Sequence, residues 1–226
     1  MQLIGMLDSP YVRRVAIAMI VAKTPFIHRP ISLFRHIDQF SKLNPLLKAP
    51  TLITDDGAAL MDSNVILDYL ASVHLRIAAL TPSNLPQRLS ALRATGLALT
   101  VMEKAVQPQY ERMLRPAEKQ HEPWVDRVMG QLTAGLSALD AELPGSGWIG
   151  GDLGLADIAA ACAFGFYPYP SGGCRGDKPL SQSWRFLRPR RSASGVPRRS
   201  AGGWGDRLRD RRLTRCRRAA EAIRSQ

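Results

Sequence analysis

Residues 48–66 read Lys-Ala-Pro-Thr-Leu-Ile-Thr-Asp-Asp-Gly-Ala-Ala-Leu-Met-Asp-Ser-Asn-Val-Ile. Thr51-Leu52-Ile53 and Ala58-Ala59-Leu60-Met61 flank Asp55-Asp56-Gly57, and a glycine after two aspartates suits a tight turn, so the stretch predicts a β-hairpin. Pro50 stands at the start of the first strand, where a missing N–H does least damage. Asp62 and Ser63 precede Val65, Ile66, Tyr69 and Leu70 at helical spacing, the pattern of a capped amphipathic helix.

Upstream, Leu3-Ile4-Gly5-Met6 is a short apolar strand, and Asp8-Ser9-Pro10 leads into Val12, Val15, Ala16, Met19 and Ile20 at helical spacing. Phe26 to Ile31 alternates like a strand, and Phe34 to Leu43 is a weaker helical segment stopped by Asn44-Pro45. The resulting order, β-α-β-α-β-β-α, is that of a thioredoxin-like domain. Downstream, Thr81 to Pro86 is a linker by composition, and every periodic segment after it is helical. One long helix carries Leu89, Leu92, Gly96 and Leu99 toward Leu114. A second starts at Pro123 and carries Val125, Val128, Leu132, Leu136 and Leu139 until Pro144-Gly145-Ser146-Gly147, and a third starts near Gly154. The expected fold is therefore an α+β N-terminal thioredoxin-like domain over residues 1–80, followed by an all-α helical domain over 86–166 that is truncated or disordered at its C-terminal end.

That last expectation comes from charge. The 226 residues hold 31 Lys plus Arg against 19 Asp plus Glu, a formal charge of +12. Residues 1–166 are balanced, with 15 basic and 15 acidic side chains, whereas residues 167–226 hold 16 and 4, and 15 of those 16 are Arg. The composition changes near Phe166. No run of 18 apolar residues predicts a membrane span, and three cysteines without ligand spacing support neither a disulfide scaffold nor a zinc module.

Three places carry candidate chemistry. Ser9 sits at a helix N-terminus, where free N–H groups and partial positive charge favour an anion such as a thiolate; it also reads as a plain N-cap. Pro50 reads as an edge-strand start, or as a cis proline that frees the Ala49 backbone to pair with an extended peptide. Asp62 and Ser63 read as a cap, or as a carboxylate and hydroxyl placed beside helix amides to hold the ammonium and carboxylate of an amino acid.

In order and spacing, Ser9-Pro10-Tyr11-Val12-Arg13, Lys48-Ala49-Pro50 and Asp62-Ser63 together resemble the cytosolic glutathione S-transferase family, in its bacterial, Ser-type branches. Trp148-Ile149-Gly150-Gly151 followed by Leu155-Ala156-Asp157-Ile158 is similar to that family's turn into its core helix. The family usually places Ser or Thr where this chain has Gly154, and a glycine cap without a side-chain oxygen predicts a helix start weaker by up to ~1 kcal/mol. It also commonly has Glu or Gln where this chain has Asp62. The resemblance implies glutathione as co-substrate, with Ser9 donating a hydrogen bond to its sulfur. It implies that Ala49, before Pro50, pairs with the cysteinyl unit, that Asp62 and Ser63 hold the γ-glutamyl end, and that Lys48 meets the glycyl carboxylate. It further implies an activated thiolate attacking a small electrophile, with Tyr11, Met102, Val106 and Tyr110 as candidate contacts and no metal. A cytoplasmic homodimer acting in detoxification follows from the same likeness, with a non-catalytic glutathione-binding relative as the alternative.

The final 60 residues do not match that pattern. They support a rival reading as an Arg-rich arm for nucleic acid, with Arg207-Leu208-Arg209 and Arg211-Arg212 on phosphates and Trp184 and Trp204 for stacking, but they fit no known module. Six Val, Ile, Leu or Met among 60 residues supply too little apolar burial to offset the entropy of ordering them. Leu180 to Val196 are encodable by codons that, read one nucleotide later, give Tyr-Pro-Asn-Leu-Gly-Gly-Phe-Ser-Gly-Arg-Ala-Glu-Ala-Leu-Pro-Glu-Phe, a string resembling the family's final helices. A shifted reading frame accounts for both observations, and an incomplete helical domain is then expected to leave Ile158 and Phe164 partly exposed.

Overall fold

Strand β1 (Gln2–Ile4) is central, and its Leu3 and Ile4 are fully buried. The sheet runs β2 (Ile27–Arg29), β1, β3 (Thr51–Ile53), β4 (Ala59–Leu60), with β1 parallel to β2 and antiparallel to β3. The computed structural model describes residues 1–166, so the expectations on the Arg-rich segment, the nucleic-acid arm and the shifted frame lie outside the described residues.

Helix α1 (Pro10–Val21) makes the crossover from β1 to β2, and α2 (Ile37–Ser41) is the short remnant of the weaker helical segment. The hairpin forms where the Asp55-Asp56-Gly57 turn predicts it, with Leu52 opposite Leu60. Asp62 then caps α3 (Ser63–Val73), its carboxylate accepting from the N–H of Asn64 at 2.7 Å and of Val65 at 3.4 Å. A short α4 (Leu75–Ala78) follows.

The linker is shorter than its composition predicts. Asn84 is an N-cap, accepting from the Gln87 N–H at 3.0 Å, and Pro86 lies in the first turn of α5 (Leu85–Leu114), where it costs no hydrogen bond. The core face of α5 also differs from expectation. Ala91, Ala94, Ala98, Val101, Met102 and Ala105 are buried, whereas Leu85, Leu89 and Leu92 are 77, 58 and 57% exposed. Small residues let α6 (Glu122–Glu142) and α7 (Leu155–Phe166) approach closely, so the alanine face wins the core and the leucines point outward.

Helix α7 packs between α5 and α1 and joins both halves into one apolar core. That position buries Ile158, against expectation, and leaves Phe164 half-buried. Its start is held by Asp157, which is buried and accepts from the N–H groups of Ile149 at 3.0 Å and Gly154 at 2.9 Å. Burial pushes the Asp157 carboxyl above its ordinary value, and the two N–H donors oppose that. Gly154 is not a weak substitute for a hydroxyl cap. A Cβ there would lie 2.6 Å from the Leu80 carbonyl oxygen, which accepts from the Leu155 N–H at 2.9 Å, so the close approach of the chain at Leu80 demands a glycine.

Candidate functional site

Ser9 is the N-cap of α1, and its Oγ accepts from the Val12 N–H at a long 3.4 Å. A cap uses only a lone pair, so the hydroxyl hydrogen stays available to a ligand, and the two readings of Ser9 are compatible. Gly5, at the end of β1 with φ +132°, explains how the next group comes near. A Cβ on Gly5 would lie 2.7 Å from Val12 and 3.1 Å from Ala49, so the loop before β3 rests against the first turn of α1.

The Ala49–Pro50 peptide bond is cis. The backbone of Ala49 makes no hydrogen bond among the described residues, which leaves its N–H and C=O open for an extended peptide. Asn44 secures this loop from below: buried, its Nδ2 donates to the Lys48 carbonyl at 3.2 Å and to Thr51 Oγ1 at 2.9 Å. Thr51 Oγ1 donates to the same Lys48 carbonyl at 2.7 Å. The Lys48 side chain is exposed. Asn44 was legible only as a helix stop, because a buried amide that braces a loop leaves no periodic signal.

Asp62 is exposed at the start of α3, while Ser63 is buried with its Oγ accepting from Arg14 Nη1 at 3.1 Å. Arg14 also donates to Asn64 Oδ1 at 2.6 Å and so ties α1 to the first turn of α3. Sequence reasoning missed Arg14. The available signal was a charge set among apolar residues, since Ala18, one turn on along the same face of α1, and the adjacent Val15 are both buried.

Where α1 meets α5, the Tyr11 hydroxyl donates to the Leu99 carbonyl at 3.4 Å, and the rings of Phe34 and Tyr110 meet edge to face at 5.8 Å. Burial, reinforced by the Glu103 carboxylate, pushes the Tyr11 phenol up to about 12. Burial and then Asp8 raise Tyr110. Met102 is fully buried in the core, against the expectation that it contacts the second substrate, whereas Tyr110 is exposed and Val106 half-buried. The structure therefore sets Ala49 against Gly5 at the end of β1, beside the first turn of the helix that Ser9 caps, and ties Ser63 to the same helix through Arg14. Among the described residues no cluster of His, Cys, Asp or Glu is arranged to hold a metal, and no helix is long and apolar enough to cross a membrane.

Residues 3–75 match the family model described as glutathione S-transferase, N-terminal domain, and residues 122–178 match glutathione S-transferase, C-terminal domain. An uncharacterized GST-like protein of Escherichia coli K12, YibF, is 28% identical over 166 residues, which span 74% of this chain and 81% of that one. A crystal structure of a glutathione transferase family member from Pseudomonas fluorescens Pf-5 with bound glutathione is 30% identical. It has a TM-score of 0.65 and shares 81% of this chain and 91% of that one. A glutathione S-transferase from Methylobacillus flagellatus KT with GSH bound has a TM-score of 0.69 at 26% identity, covering 84% and 95%.

Proposed function

The chain belongs to the glutathione S-transferase family, and from that premise we propose that it binds glutathione along α1, the Ala49–Pro50 loop and the start of α3, and activates the thiol for attack on a small electrophile. The observation that carries this reading is the uncommitted hydroxyl hydrogen of Ser9 at the N-terminus of α1, beside an Ala49 backbone with open hydrogen-bonding groups. A free thiol titrates near ~8.5 and is mostly protonated at neutral pH. A hydroxyl donor and a helix N-terminus together supply on the order of 2–3 kcal/mol toward the thiolate, which is about two pKa units. Tyr11 is a poor candidate for this task, since its phenol is already given to the Leu99 carbonyl.

In this reading Ala49 pairs with the cysteinyl unit, Lys48 meets the glycyl carboxylate, and Asp62 meets the γ-glutamyl ammonium. Ser63 faces the γ-glutamyl carboxylate. The electrophile lies in the cleft lined by Tyr11, Phe34 and Tyr110. The exposed Leu85, Leu89 and Leu92, with Val65 and Val73 also exposed on α3, support a homodimer, because an apolar stripe of this kind costs free energy in water. We place this activity in the cytoplasm, as detoxification. Titration calorimetry with glutathione, run beside an aryl-halide conjugation assay, tests the proposal. Binding with turnover is the expected result, binding without turnover identifies a non-catalytic relative, and no binding rejects the reading.

A further inference from the structure

We propose that Arg14 is a positioning residue for the anionic end of the ligand: it acts through Ser63 and Asn64 as the buried cation against which an α-carboxylate is held at the start of α3. The inference rests on the glutathione reading above and adds to it a group that no site motif contains. Arg14 is 2% exposed, yet no carboxylate forms an ion pair with it among the described residues. Its Nε is buried without a hydrogen-bond partner among the described residues. Its Nη1 donates to two neutral oxygens, Ser63 Oγ at 3.1 Å and Asn64 Oδ1 at 2.6 Å.

A guanidinium keeps its charge at neutral pH even where burial lowers its affinity for the proton, and a buried charge without a counter-ion is costly. The acidic groups that act on it are Cys162, Asp62 and Tyr11; only Asp62 is a carboxylate, and it is exposed. This places positive potential at the first turn of an 11-residue helix whose Asn64 and Val65 N–H groups already hold the Asp62 carboxylate, so the guanidinium supplies a second attraction for an anion there. Because Ser63 Oγ accepts from Arg14, its hydroxyl hydrogen is left to donate, so a chain runs from guanidinium to hydroxyl to carboxylate, each bond polarising the next. Arg14 behind the turn and Asp62 in front of it form a cation and an anion matched to the two ends of an α-amino acid.

The experiment compares the dissociation constants of glutathione and of 4-aminobutanoyl-cysteinylglycine, which lacks only the α-carboxylate, by calorimetry on the full chain. Wild type is expected to prefer glutathione by at least about tenfold, the worth of a charge-assisted hydrogen bond. Arg14→Met is expected to weaken glutathione by a similar factor while leaving the decarboxylated analogue within about twofold, so that the preference collapses. Damage that is only structural weakens both ligands together, and an unchanged preference overturns the proposal. Should Arg14→Met not fold, Arg14→Lys and Asn64→Ala decide: Lys, which keeps the charge, is expected to retain part of the preference, and Asn64→Ala to lose part of it. A wild-type preference persisting undiminished in both overturns the proposal. Wild-type protein that binds neither ligand overturns this inference and the glutathione reading together, whereas equal binding of the two ligands overturns this inference alone.

Discussion

Ser9 and Gly154 show how differently single residues act when they sit at helix starts. Ser9 caps α1 through one lone pair and keeps its hydrogen for chemistry. Ser9→Ala is expected to leave the fold intact and to raise the pKa of bound glutathione by about 1–2 units, the loss of one charge-assisted hydrogen bond. Ultraviolet titration of the bound thiolate measures it, and an unshifted pKa would assign activation to another donor. Gly154 has no side chain because the Leu80 carbonyl occupies the space. Gly154→Ser, which cap statistics predict to gain up to ~1 kcal/mol, is instead expected to lose about 1–3 kcal/mol through overpacking against backbone. A thermal midpoint that rises in this variant would show that the chain at Leu80 yields.

The turn between α5 and α6 is organised by charges. Glu111 is buried, pairs with Arg115 at 2.9 Å, and accepts from the His121 N–H at 3.0 Å, so one carboxylate closes the end of α5 and the start of α6. Glu111→Ala leaves that N–H without its partner and is expected to cost about 1–3 kcal/mol in urea denaturation. Arg112 forms a two-pronged pair with Glu122, at 2.5 and 2.9 Å, on the surface. The hydrogen bond from Arg112 holds the Glu122 carboxyl below its ordinary value. The folded state therefore binds this proton less readily than the unfolded chain. The contribution of the pair is present above the ordinary carboxylate pKa and disappears as pH falls through the depressed one. Urea midpoints of wild type and Glu122→Gln are expected to differ slightly at neutral pH and to converge in acid; a gap that widens in acid would contradict the assignment.

At the scale of the whole molecule, α7 joins the two halves, while the outward leucines of α5 leave a face unfilled. Leu89→Glu is expected to shift sedimentation from dimer to monomer without loss of helicity, because a charge replaces an apolar contact; a wild type that sediments as monomer at micromolar concentration removes the dimer from the proposal. The family match ends at residue 178, and the out-of-frame string begins at Leu180. The nucleotide sequence is accordingly expected to show a one-nucleotide change of frame between those codons, beyond the break in charge near Phe166. A shifted frame that meets a stop within a few codons would return the Arg-rich arm to consideration.

Local pattern was sufficient for the hairpin around Gly57, the capped starts of α1 and α3, and the Asp157 turn into α7, because turns, caps and periodic apolar faces depend on neighbours in the chain. Local pattern showed the three candidate site motifs only as two helix caps and a strand start, and it was their order and spacing, similar to the family's, that marked them as candidates for one site. Which face of α5 entered the core was not legible, since alanine and leucine stripes satisfy the same period and only close helix packing chose between them. The need for glycine at Gly154 came from Leu80, 74 positions earlier, and the brace on the Ala49–Pro50 loop came from the buried amide of Asn44. Arg14 acquired its meaning only when α1 and α3 were laid side by side, because the cost of burying a charge depends on every group around it and on no property of its own segment.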